Sequence, residues 1–200
     1  MIVLIVCEVV FGLLFLYAHK KGMIAGKKDR LPMIVALQAL CIAFSAISFL
    51  TDAEMITLLV YAITSEIGAL IAFHDLKTKT IDPLLIIGLF IAGLIYSFNR
   101  SEPFYFSIAA SAFVFLLLFA IYHFGKKQMG FGDVKLIAAY AFLWGFPAVF
   151  TVLFYSLILS LLAGGILILM KKGDRKTELP FAPFLLAGHI ISFILNLGIG

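Results

Sequence analysis

Eight apolar runs, at about residues 2–18, 31–50, 55–73, 83–98, 104–124, 136–146, 147–170 and 181–199, follow one another with only short polar connections between them. A run of roughly 20 such residues is long enough to cross the hydrocarbon core of a bilayer as a helix. The pattern predicts an all-α, polytopic membrane helix bundle of about eight transmembrane helices. It forms a single membrane-embedded domain over residues 1–200, with no soluble domain. Composition excludes the alternatives. Of the 200 residues, 64% are hydrophobic and 13% charged, against about 25% charged in an ordinary soluble domain. A soluble globule of this size has too much exterior to hide that apolar surface. A cytosolic enzyme, a disordered chain and a nucleic-acid-binding module are therefore ruled out.

The few charges orient the spans. Segments 19–30, 74–82, 125–135 and 171–180 hold 14 of the 15 basic residues, and Arg100 is the one left for the opposite side. Cytoplasmic loops carry such an excess of Lys and Arg, so these four connections are placed in the cytosol and both termini outside. Gly145-Phe146-Pro147 barely separates the sixth run from the seventh. It reads either as a tight turn between two spans or as a break in one long helix. Merging the two runs would move the last basic loop outward, so the charge count favours two spans. The first run has no basic region ahead of it and no small-residue cleavage site, and it reads as a retained span rather than a removable signal. Cys7 and Cys41 both lie inside apolar runs, with no Cys-x-x-Cys pair, and read as small buried thiols.

Ionisable residues near membrane depth are costly and default to functional candidates. They are Glu8, Glu66, Asp75 and Asp133, with His74, His123 and His189 behind them. Glu8 and Glu66 read first as neutral acids hydrogen-bonded within the bundle. The histidines, placed near helix ends, form no ligand set, and no metal or other cofactor is expected. Asp75 and Asp133 stand apart because both fall at the same cytosolic boundary, a coincidence not built into the span assignment. Asp133 opens the sixth span within Met129-Gly130-Phe131-Gly132-Asp133-Val134-Lys135, where glycines on either side of Phe131 let the backbone turn sharply. Asp133 as a plain helix cap is the structural alternative.

Taken together, these residues resemble a family. Gly130-Phe131-Gly132-Asp133-Val134-Lys135 is similar to the Gly-x-Gly-Asp-x-Lys signature of the type IV prepilin peptidases, bacterial members of the GxGD membrane aspartic proteases. Asp75, followed by Ile81 and Pro83, resembles the family's first aspartate motif. Leu179-Pro180-Phe181-Ala182-Pro183-Phe184-Leu185, with Gly188, resembles the stretch opening its last span. The resemblance covers about residues 70–190. It implies that Asp75 and Asp133 are catalytic and that Gly130, Phe131, Gly132, Lys135, Pro83, Pro180, Phe181 and Pro183 shape the site. The implied reaction removes a short basic leader from prepilin-like or pseudopilin-like proteins at the cytosolic face of the bacterial inner membrane. Partners are then such substrates and the lipid bilayer, without nucleic acid. Helix ends would favour Asp133 as the anion and Asp75 as the acid. Lys135 either tunes this pair or marks the membrane edge.

Two departures bear on activity. Members that also methylate the new N-terminus carry a larger first cytosolic loop with paired cysteines, whereas His19 to Arg30 contains none. The family's Gly-Ser-Phe-x-Asn stretch is replaced by Phe11-Gly12-Leu13-Leu14-Phe15. The sequence thus reads as a short form, a peptidase without N-methyltransferase activity. Asp82 reads as a helix cap for the fourth span rather than a third catalytic acid. Other readings are an ion-coupled transporter using intramembrane carboxylates, a non-catalytic assembly partner, and a presenilin-like protease. No paired interrupted helices support the first. The last expects a Tyr-Asp pair, where this chain has His74-Asp75.

Overall fold

The computed structural model of the chain describes residues 2–23, 54–100, 102–125, 129–171 and 179–197, with scattered positions between 35 and 46. Most of the second apolar run, and Cys41, fall outside this described set. Among the described residues six helices form: α1 (Ile2–Lys20), α2 (Met55–Thr78), α3 (Pro83–Ser97), α4 (Phe104–Phe124), α5 (Phe131–Leu169) and α6 (Ala182–Leu197). The helices α2, α4 and α5 are long and apolar enough to cross a membrane, and α3 and α6 are shorter apolar helices. Large apolar side chains such as Leu116, Leu161 and Leu169 stand exposed on the outer faces of α4 and α5. Those faces suit lipid, and the chain is a membrane protein. Eight transmembrane helices are not reached among the described residues.

The sixth and seventh runs are both contained in α5. Its 39 residues are two helices meeting at Gly145, which has φ 78° and ψ −176°, a region occupied essentially by glycine alone. Pro147 follows in the first turn of the second arm, where its missing N–H costs nothing. The two arms run in opposite directions along α6. Leu179 and Gly188 lie against Gly164 and against Val152 and Ser156 of the second arm, which makes that arm antiparallel to α6. His189 packs on Tyr140 and Trp144 of the first arm, while Ala182 and Asp133 both adjoin Asp75. The first arm is therefore parallel to α6, and the chain doubles back at Gly145.

Arg100, the base isolated on this side, has a local task there. Its Nη1 donates to the Leu143 carbonyl at 3.5 Å, and its guanidinium lies 5.6 Å from the centre of the Tyr96 ring. The last carbonyls of a helix lack intrahelical donors and favour a cation. A Cβ on Gly145 would come within 3.3 Å of Arg100 Nη2. Gly145→Ala is expected to destabilise the protein by about 1–3 kcal/mol, read as a lower melting temperature in detergent. An unchanged melting temperature would show that the turn tolerates a side chain.

The helix directions gather the ends. Lys21 after α1 bonds Asp82 before α3, and Phe131 packs on Phe119 and Tyr122 near the end of α4. The described lysines Lys20, Lys21, Lys77, Lys79, Lys135 and Lys171 thus cluster at one end of the bundle, the end that carries Asp75 and Asp133. Arg100 and Gly145 lie at the other.

Deeper in the bundle Tyr61 stacks on Trp144 at 3.9 Å and packs at a tilt against Phe193 at 4.1 Å. His189, expected near a helix end, is instead in the middle of α6 and fully buried, with Nε2 3.3 Å from Thr64 Oγ1. Its ring lies beside the stacked pair, with centres 5.0 Å from Tyr61 and 5.5 Å from Trp144. Glu66 is fully buried as expected of a bundle-facing acid, whereas Glu8 is exposed among the described residues.

Candidate active site

Asp75 lies one turn before the end of α2, with 5% of its surface exposed. Its carbonyl accepts the Lys79 N–H at 2.8 Å as Lys79 turns left-handed (φ 53°) and closes the helix. Its carboxylate reaches a different helix. Oδ2 accepts the Ala182 N–H at 3.1 Å, and the Phe181 N–H also bonds to this side chain. The start of α6 carries no Ser, Thr, Asp or Asn of its own to take these free donors, with Phe181 at the cap and Pro183 two residues in. Asp75 supplies the missing acceptor from 107 residues away, which ties the end of α2 to the start of α6.

Asp133 occupies the first turn of α5, whose cap residue is Gly130. Its carboxylate folds back to the Gly130 N–H, the reach that a third-position acid makes in a capping box. The plain-cap alternative is therefore correct in part, since Asp133 helps close its own helix. It does more, because Asp75 and Asp133 lie within electrostatic reach of each other. Carboxylates from two separate helices thus lie near the same end of the bundle, where the basic connections gather. The asymmetry expected from helix ends is lost in this arrangement. Asp133 sits at the start of α5, and Asp75, though at the end of α2, faces the start of α6.

The glycines around Phe131 act through close approach. A Cβ on Gly130 would lie 2.8 Å from Asp133 Oδ2, and one on Gly132 would lie 3.3 Å from Ile81. Gly130→Ala is therefore expected to turn the Asp133 carboxylate aside. Because the displaced group is the tip of a side chain, the fold should survive, so melting temperature stays near the parent value. Any activity that depends on the carboxylate should fall about tenfold or more. Full activity in this variant would mean that the position of Oδ2 does not matter.

The remaining expected residues divide. Gly130 lies against Asp133, Gly132 against Ile81 and Phe181 against Asp75, and Pro180 and Pro183 flank the Phe181–Ala182 pair in sequence. Phe131, Lys135 and Pro83 turn away. The Phe131 ring packs against Phe115, Phe119 and Tyr122 of α4, and Lys135 Nζ sits 4.5 Å above that ring. Lys135 and Pro83 line an apolar groove of about 530 Å³ between α3, α4 and the first arm of α5, with Ile87, Ser111 and Phe142 further in. Neither aspartate lines that groove. Asp82 caps α3 through Oδ1, which accepts the Leu84 N–H at 3.0 Å.

Sequence reasoning missed the Ala182 N–H, because a backbone donor has no residue signature. It also missed Tyr17 and Lys21, which both reach Asp82. Their spacing of four at the end of an apolar span, one helix face, was the available signal.

Comparison with known proteins follows the same residues. The chain matches the type IV leader peptidase family over residues 62–169. It is similar to proteins named prepilin leader peptidase/N-methyltransferase from three organisms. That of Bacillus subtilis (strain 168) is 34% identical over 87 residues, 43% of this chain and 34% of that protein. That of Xanthomonas campestris pv. campestris is 29% identical over 126 residues, 60% of this chain and 44% of that protein. That of Aeromonas salmonicida (strain A449) is 28% identical over 184 residues, 88% of this chain and 62% of that protein. The chain therefore spans between about a third and three-fifths of the length of these relatives. No solved structure matches it.

Proposed function

Because the chain belongs to the type IV leader peptidase family, we propose that it is an aspartic endopeptidase that removes the short basic leader from prepilin-like proteins. The observation that carries this reading is that Asp75 and Asp133, from α2 and α5, lie within electrostatic reach of each other at one end of the bundle. Peptide hydrolysis by such a pair needs one carboxylate to activate water and a protonated partner to donate to the carbonyl oxygen. In that mechanism the two acids share one proton, so the apparent pKa values belong to the pair rather than to either residue. A bell-shaped pH–rate profile is the expected signature.

The basic residues around the aspartates support a cytosolic position for this end, in a bacterial inner membrane. A transmembrane substrate with a cationic leader would present its cut site at that boundary, since the leader's charges keep it out of the hydrocarbon. The first connection, His19 to Arg30, holds no cysteine, which supports peptidase activity without N-methylation.

The reading is tested by expressing the chain with a prepilin-type substrate and following leader removal on a gel. The mature product is then weighed. Leader removal with an unmodified new N-terminus is expected. Uncut substrate would overturn the peptidase assignment, and a product heavier by one methyl group would overturn the single-activity assignment.

A further inference from the structure

Asp82 does more than cap a helix. A cap needs one acceptor oxygen, and Oδ1 meets that need at Leu84. The second oxygen, Oδ2, accepts the Tyr17 hydroxyl at 2.8 Å and the Lys21 ammonium at 3.1 Å, both from the end of α1. The residue is buried, with 7% of its surface exposed, and a buried carboxylate persists only when its lone pairs are filled. Burial would push the Asp82 carboxyl up, but the Leu84 N–H, the Tyr17 hydroxyl and the Lys21 ammonium together hold it below the usual carboxylate range. It is thus ionised at neutral pH, and Lys21 is held charged first by its hydrogen bond to Asp82.

The loop that Asp82 ends joins α2, the helix of Asp75, to α3. At its start the Lys79 N–H is bonded to the carbonyl of Asp75 itself. In its middle the Thr80 carbonyl is 2.7 Å from His74 Nδ1. Next, Ile81 lies against Gly132, so close that a Cβ there would be 3.3 Å away, and Gly132 immediately precedes Asp133. The loop therefore touches the backbone beside both aspartates, and α1 grips it at Asp82. Tyr17 and Lys21 lie outside residues 62–169, the part of the chain that the family match covers.

We propose that Tyr17, Lys21 and Asp82 form a clamp by which α1 presses the 79–82 loop onto Gly132 and so sets the separation of Asp75 and Asp133. Asp82 is then a positioning residue, acting through Ile81 and Gly132, and this role rests on the peptidase reading above. The variants Asp82→Asn and Tyr17→Phe separate the clamp from the cap. Asparagine still caps Leu84 but loses the charge that binds Lys21, and phenylalanine removes one hydroxyl.

Each variant should lower kcat for leader removal about tenfold, with KM unchanged, at an assay temperature well below the melting temperature of either variant. The double variant should be little worse than the weaker single one, because both changes break the same tie. A second readout does not depend on cleavage. Amide exchange over residues 80–82 should be faster in both variants than in the parent. Parent-like kcat, a kcat loss that merely follows a falling melting temperature, or unchanged exchange over 80–82 would each overturn the clamp. A parent protein that removes no leader overturns the peptidase reading instead, and the exchange result still decides whether the loop is gripped.

Discussion

Asp75→Asn and Asp133→Asn should each slow leader removal by about 10²–10⁴-fold, the usual contribution of a positioned acid or base. Asparagine matches the carboxylate in shape, so these variants isolate chemistry from packing. At position 75 its carbonyl oxygen can still accept the Ala182 N–H that now bonds Oδ2 at 3.1 Å, and α6 keeps its cap. At position 133 it can still accept the Gly130 N–H. Neither variant should lose melting temperature to any marked degree. What each loses is one of the two ionisable groups that the proposed mechanism needs. With one carboxylate gone, the remaining one titrates alone, and the bell-shaped pH–rate profile should give way to residual activity with a single limb. Groups that act as a unit are non-additive, so the double variant should be no slower than the slower single one. These rates are read from the appearance of mature substrate over time in detergent-solubilised membranes. If either single variant cleaves at the parent rate, the pair is not the catalytic unit.

One half of this site is legible in the sequence. Hydropathy locates the spans, and the distribution of lysines assigns both aspartates to one end without any geometry. Spacing alone leaves Gly145-Phe146-Pro147 open between a turn and a broken helix, and the charge count favours the turn that forms. The other half of the site is long-range. Asp75 meets Ala182 across 107 residues and Tyr17 meets Asp82 across 65, and no local pattern encodes such pairings. For Lys135 the sequence leaves a role at the aspartates and a place at the membrane edge equally open. A residue two positions along a helix from Asp133 projects from a different face, and its ammonium settles over Phe131 instead. Family resemblance flags Gly188 without giving a reason for it, and the reason is steric.

Gly188→Ala is expected to be the most destabilising of the glycine changes. A Cβ at this position would overlap Ser156 Oγ and would lie 2.5 Å from the Val152 carbonyl oxygen and 2.9 Å from the Ser156 nitrogen. Two of those three atoms are helix backbone, which cannot rotate away. The third is already committed, since Ser156 Oγ donates to the Val152 carbonyl at 2.6 Å in a fully buried setting. Lipid gives little hydrophobic drive for helices to associate, so close backbone approach at small residues carries much of the packing. One methyl group here must therefore push α6 off the second arm of α5, at a cost at or above the upper end of the ~1–3 kcal/mol typical of overpacking. The damage should also spread to the aspartates, because the first residue of α6 is the one that holds Asp75. Melting temperature and leader removal should thus fall together, unlike Gly130→Ala, where only activity falls. Gly165→Ala is the matched control. It lies in the same second arm, and no atom stands within 4 Å of the place its methyl group would take. That variant should be neutral or slightly stabilising, since alanine is the better helix former. Equal melting temperatures for the 165 and 188 variants would mean that α6 and the second arm are not in backbone contact at Gly188, and the tie from α6 to Asp75 would then lose its support.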